Sequence, residues 1–131
     1  MTGIEIKNNK VYVTYDNKTN QVKKISGTPT KVIGSVNGGM MYYYILTIDG
    51  KVYRVEWSDT TAELLKETSK YDIIDFTDGN AKGYVHRVIY YLTSDGKLID
   101  GNGDTFEDLN KNFVCRFGNL VHCVYIVIFI C

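Results

Sequence analysis

The chain has 131 residues, with 15 lysines and arginines against 15 aspartates and glutamates, so its formal net charge is zero. This balance argues against a general nucleic-acid or anionic-membrane binder, which would carry a basic excess. The length suits one domain with a core of its own, and we predict a single domain over residues 1–131.

The sequence opens on a predicted hairpin, Ile4–Val13, with Asn8 and Asn9 in its turn. A related pattern returns at residues 45–53 and 91–99, as an apolar run, an Asp-Gly pair, a lysine and a second apolar run. Asp-Gly favours a two-residue type I′ turn, in which both central residues have positive φ. Each copy is therefore predicted to be a tight hairpin.

The predicted turn also determines which residues face one another across each hairpin. In the first Asp-Gly copy, Leu46 would lie opposite Tyr53, and Tyr43 would lie opposite Glu56. The second copy would follow the same rule. In it, Leu92 would lie opposite Ile99 and Thr93 opposite Leu98.

Between the hairpins, apolar runs bounded by polar turns predict further strands. A polar turn at 15–21 precedes a short strand at 22–25. The remaining strands are predicted at 31–36, 40–48, 51–57, 71–76, 84–94, 97–100, 112–117 and 120–131. Segments 62–67 and 105–109 could each be an outer strand or a short helix, since Thr60 and Glu63 match a capping box.

The hairpin turns begin at residues 8, 49 and 95, so successive turns are 41 and 46 residues apart. Internal repeats of this length indicate a propeller, a solenoid or a three-fold barrel. We predict an all-β fold of three four-stranded repeats arranged like propeller blades. A β-trefoil is the alternative.

The motif Leu-Thr-x-Asp-Gly-Lys, at residues 46–51 and 92–97, resembles the repeat of the regulator of chromosome condensation family. In that family the repeats form the blades of a β-propeller. The resemblance covers 31–67 and 71–109, but Trp57 is followed by Ser58 where the family usually has a tryptophan-glycine pair. It implies a blade-like architecture, and no functional residue is carried over.

Aromatic and charged side chains concentrate on one predicted sheet face. This face would carry Tyr43, Arg54 and Glu56, with Trp57 at its edge and Tyr91 at the equivalent position of the next repeat. Tyrosine, tryptophan and arginine are the residue types of protein-binding hot spots. The alternative is that a neighbouring sheet covers this face.

No motif predicts catalysis, a metal site or a cofactor. His86 and His122 are the only histidines, and no nucleophile elbow or triad spacing accompanies them. Residues 100–104 begin like a calcium-binding loop but lack its glycine at position six and its glutamate at position twelve. A solvated turn is the simpler interpretation, and we predict a protein that is not an enzyme.

The C-terminal stretch predicts a strand buried on both sides. Residues 120–131 carry no formal charge and are too few to span a membrane. We expect this strand to pair with the Ile4–Val13 hairpin, or to make a homodimer through an open sheet edge. The three cysteines, Cys115, Cys123 and Cys131, lack CxxC spacing, and the N-terminus resembles no signal peptide, so a cytoplasmic protein is expected.

These observations favour a non-enzymatic protein-binding module. A small inhibitor that blocks a larger partner fits best, for example a phage-borne anti-CRISPR-type protein. Two alternatives remain: a glycan- or ligand-binding β-trefoil, and a small hydrolase that uses His86.

Overall fold

A computed structural model describes residues 3–37, 40–79 and 88–101. Over these ranges the chain forms ten strands and one single-turn helix. In chain order they are β1 (Gly3–Lys7), β2 (Lys10–Tyr15), β3 (Lys18–Gln21), β4 (Pro29–Asn37), β5 (Met40–Thr47), β6 (Val52–Glu56), β7 (Glu63–Leu64), α1 (Lys66–Ser69), β8 (Ile73–Gly79), β9 (Val88–Thr93) and β10 (Leu98–Ile99).

The strands form three small antiparallel sheets, each a meander of neighbouring strands. The first sheet has the order β1-β2-β3, the second β4-β5-β6-β7 and the third β10-β9-β8. The all-β prediction is confirmed. The propeller-like arrangement is not confirmed, because within the described ranges only the second sheet has four strands, and the trefoil alternative stays open.

Two type I′ turns shape the first sheet. Asn8 and Asn9 have φ angles of 52° and 62°, as predicted for the first hairpin. Asp16 and Asn17 repeat this conformation with 51° and 62°, so β3 follows immediately where a longer polar turn at 15–21 was predicted. Asparagine and aspartate suit these positions because their short polar side chains tolerate positive φ better than most residues.

The Asp-Gly hairpins have a different turn from the one predicted. Gly50 has a φ of 80°, whereas Asp49 is not among the residues with positive φ. The Gly50 amide donates to the carbonyl of Thr47 at 3.0 Å, and the Thr47 amide donates to the carbonyl of Lys51 at 2.9 Å. This is a three-residue loop, a type I turn followed by a left-handed glycine.

The longer loop moves the register of both hairpins by one residue. Leu46 pairs with Val52, and Tyr43 pairs with Val55. The predicted pairs Leu46–Tyr53 and Tyr43–Glu56 are therefore wrong. The second copy has the same loop around Gly96, at a φ of 85°, and pairs Leu92 with Leu98 in place of Ile99.

The second sheet is the middle layer and is buried on both faces. Its side chains alternate between two hydrophobic clusters, as expected for a strand with both faces covered. The first cluster joins the first and second sheets: Val11, Val13, Val22, Tyr43, Ile45, Tyr53, Val55 and Ala62. The second cluster joins the second and third sheets: Tyr44, Leu46, Val52, Ile73, Phe76, Ile89, Tyr91 and Ile99.

Polar contacts connect the layers as well. The Lys23 amide donates to the carbonyl of Thr60 at 2.7 Å, and the Ala62 amide donates back to the carbonyl of Lys23 at 3.0 Å. On the other side of the second sheet, the Lys31 ammonium lies 2.7 Å from an Asp75 carboxylate oxygen. The first pair of bonds holds the loop after β6 against the segment that follows β3, beside the candidate site.

The ambiguous segment 62–67 contains both predicted elements in succession. It begins with β7 and enters α1 at Lys66. The residue before the helix is Leu65, which makes no capping side-chain bond, so the predicted capping box is not formed. No helix within the described ranges is long and apolar enough to cross a bilayer.

Several predictions fall outside the described residues. They concern the segment 105–109, the strand at 112–117 and the apolar strand at 120–131 with its pairing or dimerisation. The rising strand predicted at 84–94 is described only from Val88 onward.

Candidate functional site

The predicted binding residues are divided between the two faces of the second sheet. Tyr43 belongs to the cluster shared with the first sheet, and Trp57 packs against the same cluster. Arg54 and Glu56 alternate with these positions along β6 and lie on the other face, where Tyr42 is opposite Glu56. A one-residue change of register moves a side chain to the opposite face, because side chains along a strand alternate between the two faces of the sheet.

Tyr43 is a core residue. Its side chain is 1% exposed, and burial raises the pKa of its hydroxyl. Within the described part of the chain, this hydroxyl has no hydrogen-bond partner. The predicted exposure of Tyr43 is thus corrected: its ring fills the space between the first and second sheets.

Tyr91 is buried to the same extent, in the second cluster. It is 1% exposed, and its ring stacks on Phe76 with centroids 6.2 Å apart and planes 13° from parallel. Burial is the main cause that raises the pKa of the Tyr91 hydroxyl. Both tyrosines therefore lie on covered sheet faces, which was the alternative interpretation of the sequence.

Arg54 remains partly accessible, with a side chain that is 35% exposed. Its Nε donates to the Glu63 carboxylate on β7 at 3.0 Å, and its guanidinium lies 4.9 Å from the ring centroid of Tyr42. Burial alone would lower the pKa of Arg54, but the hydrogen bond and charge of Glu63 raise it above the usual value. Sequence reasoning missed Tyr42 because it assumed the shorter turn.

Trp57 lies at the edge of the first cluster and contacts an aromatic residue from the first sheet. Its ring meets that of Tyr15 edge-on, with centroids 4.7 Å apart and an interplanar angle of 88°. Tyr15 is 40% exposed at the end of β2. No signal in the sequence links these two residues, since their contact depends on how two separate sheets pack.

A small cleft adjoins the aromatic pair, which we name the Tyr15 cleft. Its volume is about 160 Å³, and its lining comes from the β2–β3 hairpin and the loop after β6. The lining residues are Val13, Tyr15, Asp16, Lys18, Asn20, Ser58, Asp59 and Thr60. Pockets for drug-sized molecules measure about 300–1,000 Å³, so this one suits a single side chain better than a cofactor.

Hydrogen bonds shape the loop that forms one wall of the cleft. The Asp59 carboxylate accepts the amide of Thr60 at 2.6 Å and that of Thr61 at 3.3 Å. The Asp59 amide donates in turn to the carbonyl of Glu56 at 2.9 Å. The wall is thus organised before any partner arrives, which reduces the entropy lost on binding.

Within the described ranges, no group of three His, Cys, Asp or Glu side chains is placed to hold a metal ion. His86 and His122, the three cysteines and the end of the predicted calcium-like loop lie outside those ranges. The described residues therefore form an aromatic edge and a small polar cleft.

A comparison with protein families decides what the chain is related to. Residues 1–130 match the family described as "Gpos_C8-like: Putative immunity protein/bacteriocin". The chain belongs to this family. The predicted resemblance to the regulator of chromosome condensation family is therefore wrong. The shared Leu-Thr-x-Asp-Gly-Lys motif reflects the local chemistry of a hairpin turn. No curated protein and no solved structure matches the chain.

Membership of the immunity protein/bacteriocin family is consistent with a non-enzymatic, inhibitor-like protein that binds a protein partner. It gives no support to the anti-CRISPR example, which the family description does not mention.

Proposed function

We propose that this chain is an immunity-type protein that binds a toxic protein partner and blocks it in the cytoplasm, without catalysing a reaction. The family description supports the class of function. The single structural observation that carries the proposal is the Tyr15–Trp57 contact beside the Tyr15 cleft.

The physical argument starts from the exposed aromatic ring of Tyr15. A half-exposed tyrosine loses little conformational entropy on binding and offers a large apolar area with a polar tip. Trp57 contacts this ring edge-on and is itself packed against the first core cluster, so the tyrosine ring is held in place. An anchored aromatic pair next to a cleft is the typical centre of a protein–protein hot spot.

One charged residue next to this surface fits the rim of such an interface. Glu56 is exposed at the end of β6, next to Trp57 in the sequence, whereas Arg54 lies on the opposite face of the sheet from Trp57, where it is held by Glu63 and Tyr42. Rim charges of this kind contribute mainly to the association rate and to the choice of partner. Glu56 and Trp57 therefore stay in the proposed site, Tyr15 joins them, and Arg54 is left out of it.

Protection of living cells tests the proposal directly. Indicator cells that express the chain are challenged with culture supernatant from the strain that carries the gene. We expect survival at least tenfold above that of cells with empty vector. Cells that die when the purified protein is added from outside would instead identify the chain as the bacteriocin itself.

Two variants test whether protection depends on the proposed surface. Tyr15→Ala and Trp57→Ala should each reduce protection at least tenfold, as expected when a hot-spot aromatic is removed. Ile48→Ala is the matched control, because Ile48 is an exposed apolar residue in the β5–β6 turn, 74% exposed. Circular dichroism and denaturant midpoints must show that all three variants fold. Equal protection by all three would contradict the proposed surface.

The histidines test the enzymatic alternative. Replacing His86 and His122 together with glutamine should leave protection unchanged, since the proposal assigns them no chemistry. A loss of protection in a folded double variant would favour the hydrolase.

A further inference from the structure

We propose that the Tyr15 cleft receives a lysine or arginine side chain of the protein partner. This inference rests on the proposed function and specifies the chemistry of its partner. It starts from the charges in the lining: Asp16 and Asp59 contribute two carboxylates, and Lys18 contributes one ammonium.

The two carboxylates are available for a partner. Neither Asp16 nor Asp59 forms an ion pair with any residue in the described part of the chain. Within the described ranges, the Asp59 carboxylate accepts the two backbone amides of its own loop, which hold it in place. A carboxylate has about four lone-pair sites, so Asp59 retains acceptor capacity for a cation.

The two acidic groups come from separate elements. Asp16 lies in the β2–β3 turn, with a φ of 51°, and Asp59 lies in the loop after β6. Packing of the first sheet against the second brings them to one cleft, and the Lys23–Thr60 hydrogen bond holds the loop that carries Asp59 against the segment that follows β3. A cation placed between them would interact with both charges.

Lys18 does not neutralise this arrangement. It lies on β3, an edge strand whose four residues are all exposed, and it forms no ion pair within the described ranges. A lysine on an exposed edge strand keeps its ammonium in water at little cost. The cleft thus keeps a net charge of −1 in its lining, and a partner cation can displace the Lys18 head group.

The shape and the aromatic wall favour a long cationic side chain over a small metal ion. A volume of about 160 Å³ accommodates an extended lysine or arginine stem. Tyr15 lines the cleft, and a tyrosine ring can form a cation–π contact with either side chain, most frequently with arginine. Val13 provides the apolar contact that the methylene groups of such a stem require.

A displayed random peptide library, panned on the immobilised full-length protein, tests this inference. We expect the enriched peptides to carry a lysine or arginine beside an aromatic or aliphatic residue. The affinity of one enriched peptide is then measured by calorimetry for the wild type and for variants. Enriched peptides without a basic residue, or no enrichment above the bare support, would overturn the inference.

The decisive variant is the double substitution Asp16→Asn with Asp59→Asn. Asparagine tolerates the positive φ at residue 16 and can still accept the two amides at residue 59, so shape is retained while both charges are lost. We expect the peptide to bind at least tenfold more weakly. Glu5→Gln with Asp95→Asn removes the same charge elsewhere and should change the affinity less than twofold.

The same double variant in the protection assay separates this inference from the proposed function. If wild type protects and Tyr15→Ala does not, but Asp16→Asn/Asp59→Asn protects fully, the cationic anchor is wrong and the proposed function stands. If wild type does not protect, the proposed function fails, and the peptide affinities alone decide whether the cleft binds cations. Equal peptide affinities for both double variants would overturn the inference in either case.

Discussion

The β1–β2 and β5–β6 hairpins join adjacent strands through turns of different length. The first uses two residues, Asn8 and Asn9, which both have positive φ. The second uses three residues, of which only Gly50 has positive φ. Both turns are compact, yet the additional residue reverses the face on which every later side chain of the strand lies.

Local hydrogen bonds explain why Asp-Gly forms the longer turn here. The Thr47 hydroxyl donates to the Asp49 carboxylate, and it lies 3.2 Å from the carbonyl of Lys51. Thr93 makes the same two contacts in the third sheet, with Asp95 and Lys97. The threonine two residues before the aspartate is therefore part of the turn signal. An Asp-Gly pair without this threonine lacks these hydroxyl contacts and does not by itself predict the longer turn.

The largest effect should come from the glycine of the longer turn. Gly50→Val is expected to lower the free energy of unfolding by about 3 kcal/mol or more, since valine resists positive φ. A Cβ at residue 50 would also lie 2.1 Å from an Asp72 carboxylate oxygen and 3.0 Å from the Ile73 amide nitrogen. Gly3→Val is the control, because a Cβ there meets nothing within 4 Å. Similar urea midpoints for the two variants would show that the turn is not as described.

Removal of the threonine hydroxyl should have the next largest effect. Thr47→Val keeps the shape of a side chain that is 1% exposed but loses its bonds to Asp49 and Lys51. We expect a loss of about 1–2 kcal/mol in the free energy of unfolding. Thr14→Val should cost less than about 0.5 kcal/mol, because its hydroxyl bond to Thr19 in the first sheet is exposed. The comparison fails if urea denaturation gives the two variants equal stability.

Two buried tyrosines lie on one face of the second sheet, and replacing each with phenylalanine should change the stability of the fold in opposite directions. Tyr43→Phe removes a hydroxyl without a partner in the described residues, so stability should rise by about 1 kcal/mol. Tyr53→Phe removes a hydroxyl that lies 3.3 Å from both the amide and the carbonyl of Ser26, and should lower stability by about 0.5–1 kcal/mol. Thermal unfolding of both variants measures the difference. A destabilised Tyr43→Phe would contradict the prediction, because it would show that this hydroxyl makes a stabilising hydrogen bond.

The smallest expected effect is a change in the pKa of Asp95. The hydrogen bond from Thr93 is the main cause that lowers the pKa of Asp95 below its usual value. A lowered pKa in the folded state contributes stability that is present above the unfolded-state pKa and is lost as pH falls through the folded-state pKa. An NMR titration should therefore show the Asp95 pKa rise toward its usual value in Thr93→Val. An unchanged pKa in that variant would show that the Thr93 hydroxyl does not lower the pKa of Asp95.

Much of the secondary structure could be predicted from the residues alone. The alternation of apolar and polar residues located most strands, and the repeated hairpin motif predicted an all-β chain. The site was predicted less well. Arg54, Glu56 and Trp57 retain accessible surface, whereas Tyr43 and Tyr91 are buried. Their burial could not be read from alternation, because a strand covered on both faces and a strand covered on one face can carry the same aromatic residues.

The sequence by itself determined the turns and the strands, because positive φ, local hydrogen bonds and side-chain alternation act over a few neighbouring residues. It also contained the family relationship, which no single motif revealed. Only the tertiary structure decided that Tyr15 meets Trp57, and that Asp16 and Asp59 share a cleft. These pairs are 42 and 43 residues apart. Their contact follows from the packing of one sheet against another, which depends on the shapes of two complete faces and is not encoded in either segment alone.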